Sequence, residues 1–536
     1  MTPLALLSAT TLILVAVQLD YAQNSPMSLH PDKMPAMGEV DERFQSYNVE
    51  MIEITGGRFW APYKQAANTP ADTSEPSPGG MPASLYRYRA PIDLSDKRLR
   101  KLAAALGPAY IRVSGTWANS TFFQDSDVPA PTTSETPIDG STAVGPKAPE
   151  GFNGVLTRAQ WKGVLDFADA VDAKLVTSFA VSQGVRDSTG LWTPVEAEKI
   201  LNYTRRAGGS IAAAEMFNEP TFASMGGAPK GYDAAAYARD ARAFHDYIKK
   251  AAPDLVILGP GSIGELSFGQ MPGMHILRSE QMLQQQGPGQ IDAFSYHFYP
   301  AVSQRCARMG VGGTTTDAAL SHDFLMRTDR DEAFYAALRD RFEPGKAIWL
   351  TETGEAACGG DPWASTFADS FRYLYQLATL ARHGVQTVMQ NTLNASDYAL
   401  IDESTLQPRP NYWAALLWRR LMGTTVLDAG ESMKPDVYIY AHCLRGKPGG
   451  VALLTINADK AQAHNLTVPE KSTRFTLASN DLLSSSVELN GANLALTSTG
   501  DLPPLDGAEQ ASGQVSLAAA SITFLAIPGA HNPACR

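Results

Sequence analysis

The stretch SIAAAEMFNEP, residues 210–220, begins as an apolar run and ends in a polar turn. Small and apolar residues from 210 to 217 are typical of a strand buried in a parallel sheet. Pro220 cannot donate a hydrogen bond to a sheet, so we expect the strand to stop before it and to hold Glu219 at a defined point. Asn218 and Glu219 would then follow the carboxyl end of a buried strand.

The same texture recurs along residues 43–422, where apolar runs alternate with segments of helical periodicity. The runs that predict strands are 44–54, 109–113, 174–181, 210–217, 255–259, 291–299, 347–351 and 385–390. Helices are predicted at 95–106, 158–171, 194–207, 233–251, 331–342, 366–383 and 412–422, with Ser95 and Thr157 as N-caps. Eight such strands predict an α/β fold, the (β/α)8 TIM barrel. A doubly wound open sheet is the competing fold, but the strand count and the lack of a glycine-rich phosphate loop favour the barrel.

After residue 422 the strands become short and alternating, at 437–441, 450–456, 474–477, 485–489 and 522–527. This pattern predicts a C-terminal antiparallel β-sandwich domain. We therefore expect a signal peptide at 1–23, an N-terminal segment at 24–40 that packs on the sandwich, the catalytic barrel at 41–423 and the sandwich at 424–536. Two stretches rich in Pro and Ser or Thr, 61–90 and 125–151, are either long loops on the catalytic face or disordered decoration.

The uncharged apolar run at residues 4–19 predicts a signal peptide and a secreted or periplasmic protein. No Lys or Arg precedes the run and the cleavage site is poor, so an uncleaved N-terminal anchor is the alternative. The net charge of −11 is spread along the chain without a basic run, which argues against nucleic acid or an anionic membrane as partner. The same charge is unfavourable for highly sulfated substrates, although it does not exclude a local basic cleft. We expect a monomer.

The chain has four cysteines, and no two have the close spacing of a zinc ribbon or a redox motif. An even count behind a signal peptide favours two disulfides in an oxidising compartment. Cys443 with Cys535 would staple the C-terminal region, leaving Cys306 with Cys358. Four buried thiols are the alternative.

A second glutamate motif, AIWLTET, occupies residues 347–353 at the end of the seventh predicted strand. Side chains alternate along a strand, so Ile348, Leu350 and Glu352 are expected to share the face that lines the barrel interior. A carboxylate that ends such an apolar row is costly unless it has a function or a partner. Glu355 is the rival candidate, but it falls in the following loop, where carboxylates are usually solvated.

Two carboxylates from facing strands suit glycoside hydrolysis, in which an acid protonates the leaving oxygen and a nucleophile attacks the anomeric carbon. We expect Glu219 to be the acid/base and Glu352 the nucleophile of a retaining enzyme. The charge of Glu352 would raise the pKa of Glu219 and keep the acid protonated near neutral pH. Asn218 could bind the sugar 2-hydroxyl. The alternative for Glu219 is a solvated carboxylate in an ordinary turn. The sequence contains no motif for a metal or cofactor, and this reaction needs none.

At these motifs the chain resembles glycoside hydrolase family 79, the heparanases and β-glucuronidases. NEP at 218–220 matches the acid/base motif of the family and WLTET at 349–353 its nucleophile motif. The likeness extends through GPAYIR at 107–112, DYALIDE at 397–403, NYW at 411–413, VELNG at 487–491 and LPPL at 502–505. Cys443 and Cys535 match the sandwich disulfide of the family.

The resemblance implies further contacts with a bound glucuronate: Glu50 and Thr116 at its hydroxyls, Tyr299 on the nucleophile, and Tyr398 with the amides of Cys358 and Gly359 at its carboxylate. It implies a retaining β-glucuronidase or a heparanase-like endo-β-glucuronidase acting on a glucuronate-containing oligosaccharide, polysaccharide or conjugate.

One position departs from the family. Where many members carry a tyrosine five residues after the nucleophile, this chain has Ala357. A β-xylosidase, β-glucosidase or arabinosidase of the same clan is therefore an alternative, and a carbohydrate-binding relative without catalysis is a lesser one. Endo or exo action would depend on whether the loops 61–90 and 125–151 wall the cleft into a pocket.

Overall fold

The computed structural model describes residues 27–63, 83–128, 132–135, 143–268, 276–309, 313–430 and 435–536. The predicted signal peptide lies outside these residues, as do parts of the predicted loops 61–90 and 125–151. No helix in the described part of the chain is both long and apolar enough to cross a membrane.

Eight parallel strands close into a barrel in chain order. They are β1 Gln45–Glu50, β2 Ala109–Ser114, β3 Ala173–Ser178, β4 Ile211–Glu215, β5 Val256–Ile263, β6 Ala293–Phe298, β7 Ala347–Thr353 and β8 Thr387–Gln390. Each strand is an almost uninterrupted row of buried residues, because the barrel interior covers one face and the surrounding helices cover the other. The predicted (β/α)8 barrel is confirmed.

The helices of eight or more residues lie outside the barrel at Lys97–Ala105, Arg158–Ala170, Val195–Arg206, Ala234–Ala251, Ser279–Gln286, Arg327–Phe342, Phe367–Arg382 and Pro410–Leu421. Short α-helices are Met51–Thr55, Glu265–Phe268 and His322–Leu325, and 3-10 turns are Pro31–Lys33, Ala83–Leu85, Thr116–Ser120, Gln183–Val185, Pro220–Phe222 and Gln304–Met309. Phe367–Arg382 is buried along almost its whole length, because it lies between the barrel and the C-terminal sheet.

Two local predictions were wrong. The predicted strand 44–54 ends at Glu50, because a capping box between Glu50 and Glu53 starts the helix Met51–Thr55 there. Ser95 is not an N-cap: Asp96 accepts from the amides of Arg98 and Leu99, whereas Ser95 donates to Asp93. Both Ser and Asp are favourable caps, so composition did not distinguish the two neighbours.

The face assigned to part of β7 was also wrong. Ile348 and Leu350 pack outwards with the helices, while Trp349 joins the interior ring made by Tyr110, Val176, Ala213, Leu258, Ala293 and Met389. A β-bulge shifts the register between Leu350 and Glu352. Because the bulge adds one residue, Glu352 still turns towards the interior although Leu350 does not.

The C-terminal region forms two sheets. The larger has the order Ala36–Glu39, Met422–Leu427, Val437–Leu444, Val451–Asn457, Ser521–Ile527, Ser472–Ala478, Glu488–Leu489 and Ala492–Asn493, with Ala508–Gln510 also on Ser472–Ala478. The smaller contains Met27–Ser28, His464–Val468 and Gly513–Leu517. An apolar layer that includes Leu453, Leu466 and Val515 fills the space between them, so the predicted sandwich is confirmed.

The N-terminal strand of the larger sheet carries the chain into the barrel. Ala36–Glu39 pairs antiparallel with Met422–Leu427, the strand that leaves the barrel's last helix. Glu42 then forms ion pairs with Arg419 at 2.8 Å and Arg445 at 2.6 Å. The disulfide Cys443–Cys535, one of the two pairs named from the sequence, links strand Val437–Leu444 to the end of the chain.

Candidate active site

The two glutamates meet at the carboxyl ends of β4 and β7. Glu219 follows β4 by four residues and has φ 55° and ψ 60°, a left-handed conformation that is strained for a residue with a side chain. Glu352 is the penultimate residue of β7. One carboxylate oxygen of each lies within 4.8 Å of the other. That proximity is compatible with the separation of about 5–5.5 Å between the carboxyl groups of retaining glycosidases.

A buried arginine that sequence reasoning did not select holds this region together. Arg112 of β2 donates from Nη1 to Glu352 at 2.9 Å and from Nη2 to Glu215 and Asn218 Oδ1, both at 2.7 Å. Burial alone would raise the pKa of Glu215, but the guanidinium outweighs it and holds that pKa well below its usual value. Glu215 is therefore the permanent counter-charge of Arg112, which leaves Nη1 for Glu352.

His297 of β6 was also missed as a site residue. Its Nδ1 lies 3.1 Å from Glu219 Oε1, and its Nε2 lies 3.1 Å from Arg112 Nη2. Burial lowers the pKa of His297, but Glu352 and the hydrogen-bonded carboxylates outweigh it and raise the pKa to about 9. A guanidinium only donates, so the Arg112 contact requires Nε2 to accept. With the ring neutral, the Arg112 contact places its proton on Nδ1, directed at Glu219. The raised pKa favours the imidazolium at neutral pH, which also directs a proton from Nδ1 at Glu219 but loses the Arg112 contact.

Glu219 and Glu352 have different surroundings. Burial raises the pKa of Glu219; the hydrogen bond from His297 lowers it and the charge of Glu352 raises it further, so the net shift is upwards. Glu352 instead receives donors on both oxygens, from Arg112 on Oε2 and from the Tyr299 hydroxyl on Oε1 at 2.8 Å. One carboxyl is thus favoured as an acid, and the other is oriented with its charge compensated.

The residues predicted to contact the sugar largely surround the same cavity, which encloses about 1040 Å³ including the open space at its mouth. The lining includes Glu50, Thr116, Asn218, Tyr299, Cys358 and Tyr398. Gly359 is not among the described lining residues, because it packs beside Trp60 and Ser396. Asn391, also in the lining, donates to the hydroxyls of Tyr299 at 2.9 Å and Tyr398 at 3.2 Å.

Three polar atoms in this lining have no hydrogen-bond partner among the described residues: Oε2 of Glu50, Nδ2 of Asn218 and Oδ1 of Asn391. Unpaired buried polar atoms are costly, so they indicate where a ligand supplies the partner. Glu50 can occupy its place only because residue 115 is glycine. A Cβ on Gly115, whose φ is 90°, would lie 1.5 Å from Glu50 Oε2.

Glu355, the rival nucleophile, is buried behind the site and does not line the described cavity. Its Oε2 accepts from the amide of Asp361 at 2.8 Å. Burial and the neighbouring acids Asp361 and Asp369 raise its pKa well above the usual value. It lies in the loop that the disulfide Cys306–Cys358 ties to the turn after β6.

Glu219, His297 and Glu352 place three potential metal ligands within 4.8 Å of one another. Arg112, however, contacts both His297 and Glu352. Its fixed positive charge opposes a cation at this point, so the three side chains fit a hydrogen-bonded network better than a metal site.

One feature of the sequence could have indicated that Arg112 belongs to the site. A single arginine in the apolar run 109–113 must face either the helices or the interior, and in both places it needs a carboxylate partner. His297 lies two residues before Tyr299, and its partners Glu219 and Arg112 come from other parts of the barrel, so they could not be derived from the motif.

Comparison with known proteins agrees with this architecture. Residues 88–378 match the profile of the glycosyl hydrolase family 79 N-terminal domain. The chain is 25% identical over 505 residues to heparanase-like protein 1 of Arabidopsis thaliana, covering 83% of this chain and 86% of that protein. It is 31% identical over 317 residues to baicalin-β-D-glucuronidase of Scutellaria baicalensis, covering 55% of each.

Among solved structures, the 4-O-α-L-rhamnosyl-β-D-glucuronidase of Fusarium oxysporum 12S is similar with a TM-score of 0.62. The match covers 94% of this chain and 100% of that one at 14% identity, which shows a shared fold. The family profile spans more than half of the chain and contains both glutamate motifs. This protein is therefore a glycoside hydrolase of family 79.

Proposed function

We propose that the protein is a retaining β-glucuronidase in which Glu219 is the acid/base and Glu352 the nucleophile. The observation that carries the proposal is the pair of carboxylates within 4.8 Å, one with a raised pKa and the other held by Arg112 and Tyr299. Two of the similar proteins are named as glucuronidases.

In the first step Glu352 attacks the anomeric carbon while the bond to the leaving oxygen breaks and Glu219 gives that oxygen its proton. The product is a glycosyl ester on Glu352. In the second step Glu219 takes a proton from water, the water oxygen attacks the anomeric carbon, and Glu352 is released as a carboxylate. The configuration is inverted twice and therefore retained.

Formation of the glycosyl ester also prepares Glu219 to change from acid to base. Once Glu352 is esterified it carries no charge, and its contribution to the raised pKa of Glu219 disappears. Burial still raises that pKa while the His297 hydrogen bond lowers it, so the balance moves towards the carboxylate that must act as base. The glycosylation state of Glu352 thus sets the role of Glu219.

For the sugar, we propose that Asn218 Nδ2 binds the 2-hydroxyl and that Glu50 and Thr116 bind other hydroxyls. The unpaired atoms of Asn218 and Glu50 support these roles. Such contacts contribute most when they strengthen in the transition state.

For the uronate carboxylate we propose the amide of Cys358 and the Tyr398 hydroxyl, which line the cavity, with the amide of the adjacent Gly359 behind them. Cys358, Gly359 and Gly360 have φ of 66°, 82° and 83°. Consecutive backbone amides in a turn can form an anion-binding concavity. In the described part of the chain the amides of Cys358 and Gly359 donate to no backbone acceptor, which leaves them for a ligand.

We further propose that the protein is secreted. The disulfides Cys306–Cys358 and Cys443–Cys535 support an oxidising compartment. The signal peptide at 1–23, the domain division and the monomeric state stay predictions.

The test is turnover of an aryl β-glucuronide by Glu352→Gln and Glu219→Gln, with Glu355→Gln as the control for a nearby carboxyl. Glu352→Gln should lose at least about 10⁴-fold in kcat, because no nucleophile is left. Glu219→Gln should lose little with a very acidic phenol and far more with a poor leaving group, because only the latter needs the proton. Full activity in either variant would exclude the assignment.

A neutral-sugar β-glycosidase is the second candidate. Ala357 lines the cavity where many family members place a tyrosine, and the described lining contains no Lys or Arg to face a uronate. A panel of aryl β-glucuronide, β-xyloside, β-glucoside and α-arabinofuranoside distinguishes the two. Faster turnover of a neutral sugar than of the uronide would favour this candidate.

A further inference from the structure

Two tyrosine hydroxyls in the cavity share a single donor. Asn391 Nδ2 donates to the hydroxyl oxygen of Tyr299 at 2.9 Å and to that of Tyr398 at 3.2 Å. The two rings lie near each other, with centroids 6.4 Å apart, and all three residues line the cavity. A primary amide nitrogen carries two protons, so one is available for each tyrosine.

The backbone of Asn391 is held at the carboxyl end of the barrel. Asn391 follows β8 directly, and β8 lies between β7 and β1. Its amide donates to the carbonyl of Thr353, the residue after Glu352, at 2.6 Å, and its own carbonyl accepts from Gln390 Nε2 at 3.1 Å. The side chain of Asn391 therefore starts from a fixed point beside the nucleophile.

These contacts decide where the proton of Tyr299 lies. Burial and the charge of Glu352 raise the pKa of Tyr299 well above its usual value, so the phenol is neutral and has one proton to donate. Because Asn391 Nδ2 can only donate, the Tyr299 oxygen accepts there and its proton goes to Glu352 Oε1 at 2.8 Å. A side chain at position 391 that accepted hydrogen bonds would compete with Glu352 for this proton.

Tyr398 accepts from the same amide but keeps its proton free. Burial and then the charges of Glu50 and Glu352 raise the pKa of Tyr398 well above its usual value, so this phenol is also neutral. Its oxygen accepts from Asn391, and no acceptor in the described part of the chain takes its proton. Hydrogen bonds to ionised acceptors are stronger than those to neutral ones, so this free O–H is well suited to an anionic ligand.

The orientation of the Asn391 amide follows from the same contacts. Its Oδ1 has no hydrogen-bond partner among the described residues. If the amide were turned over, the single proton of Tyr299 could serve only Oδ1 or Glu352, and the two N–H groups would lose their acceptors. The donor end of the amide therefore faces the two tyrosines.

Resting on the proposed glucuronidase, we infer that Asn391 is a positioning residue that directs the protons of Tyr299 and Tyr398. The first proton goes to Glu352 and the second to the carboxylate of the bound uronate. One side chain then sets the orientation of the nucleophile and the recognition of the charged sugar together, and it acts through the two phenols.

The test is a pair of double-mutant cycles, measured on an aryl β-glucuronide and on the matching aryl β-glucuronamide, whose sugar carries an uncharged amide in place of the carboxylate. The variants are Asn391→Leu, Tyr299→Phe and Tyr398→Phe, and each tyrosine variant is also combined with Asn391→Leu. For the glucuronide, kcat reports the nucleophile. The ratio of kcat/KM for the glucuronide to that for the glucuronamide, the charge preference, reports recognition of the carboxylate.

Hydrolysis of the glucuronide by the unaltered enzyme tests the proposed function separately. If the unaltered enzyme does not hydrolyse it, the proposed function fails and this inference fails with it. If it does, the two cycles decide the inference alone.

We expect Asn391→Leu to lower kcat about tenfold in the unaltered enzyme, and much less in the Tyr299→Phe background, where the hydroxyl that it supports is gone. It should lower the charge preference about tenfold in the unaltered enzyme and leave it unchanged in the Tyr398→Phe background. A purely structural asparagine would have the same effect in every background. Additive losses in either cycle would therefore overturn the inference while the glucuronidase stands.

Asn394→Ala is the matched control. Asn394 is buried in the same loop, and its Nδ2 donates to the carbonyls of Ile401 at 3.3 Å and Asp402 at 3.2 Å without contacting either tyrosine. Any loss in this variant should be the same in all backgrounds. Asn391→Ala, which removes the donor and adds no bulk, is carried through the same cycles, so that a failure of Asn391→Leu to fold does not end the test.

Discussion

Nδ1 of His297 lies 3.1 Å from Oε1 of Glu219, at the opposite end of a ring whose Nε2 contacts Arg112. Because Arg112 also binds Glu352, the imidazole and the guanidinium connect the two carboxyls of the pair. The protonation state of one carboxyl is therefore coupled to the charge on the other through fixed donors as well as through space.

Removing the His297 contact should shift the pH profile of kcat/KM. The enzyme needs Glu219 protonated, so activity falls as the pH rises through the pKa of Glu219. The His297 hydrogen bond lowers that pKa, and its loss should move the alkaline limb to higher pH. In His297→Gln the side-chain amide nitrogen takes the place of Nε2, so the hydrogen bond to Glu219 is lost. In His297→Asn the amide nitrogen takes the place of Nδ1, so this hydrogen bond is kept. The Gln variant should show the larger shift, and a shift to lower pH would contradict the assignment.

Tyr299→Phe should lower kcat with little change in the free energy of unfolding. The hydroxyl donates to Glu352 at 2.8 Å and itself accepts from Asn391, so its loss frees the nucleophile to rotate. We expect a decrease of about 10–100-fold in kcat, the range of a lost hydrogen bond to a charged group. Tyr335→Phe, whose ring is buried between helix and barrel, is the matched control and should keep kcat. A Tyr299→Phe enzyme with full kcat would remove the tyrosine from the mechanism.

Gly115→Ala should damage the sugar site through Glu50. The new Cβ would stand 1.5 Å from Glu50 Oε2, and the carboxyl must move. We expect KM to rise and kcat/KM to fall at least tenfold. Gly287→Ala is the control, because Gly287 has a similar left-handed backbone, φ 75°, with no atom within 4 Å of the added Cβ. Both variants share the backbone strain, so equal kcat/KM in the two would show that Glu50 does not bind substrate.

The two disulfides should have separable effects. Removing either pair by Cys→Ala should lower the free energy of unfolding by about 2–4 kcal/mol, measured by chemical denaturation. Cys306→Ala with Cys358→Ala should also lower kcat/KM, because Cys358 lines the cavity. Cys443→Ala with Cys535→Ala should leave kcat/KM unchanged, because that pair lies in the sandwich. An unaltered kcat/KM in the first pair would mean that the loop after Glu352 holds its shape without the bridge.

The sequence allowed the barrel and the positions of Glu219 and Glu352 to be predicted because buried parallel strands are continuous apolar runs and polar residues mark where they end. Faces within a strand were less predictable. The bulge between Leu350 and Glu352 reversed the expected orientation of Ile348 and Leu350, and nothing in the residue types announces an extra residue in a ladder.

The hydrogen-bonded network around Glu219 and Glu352 could not be predicted from the sequence, for a different reason. Three different strands supply the network residues Arg112, Glu215 and His297. Each of them, taken alone, is compatible with an ordinary structural role. Their meaning arises only when the barrel closes and the side chains share one layer. The apolar cluster around the Cys306–Cys358 disulfide has the same origin, since Trp60 and Phe222 are far apart in the chain and both pack on it.

The pairing of Ala36–Glu39 with Met422–Leu427 has a consequence for how the protein is made. On the ribosome, strand Ala36–Glu39 emerges before the barrel. Its partner strand, Met422–Leu427, emerges only after the whole barrel has been synthesised. The early strand has exposed side chains along its length, so it can wait in water at little cost in free energy. The larger sheet is completed after the catalytic half has been synthesised, and its assembly depends on contacts of very high sequence separation. A gene fragment that starts at residue 424 would lack this strand and would leave the rest of its neighbour, residues 424–427, as an open edge for association with other chains.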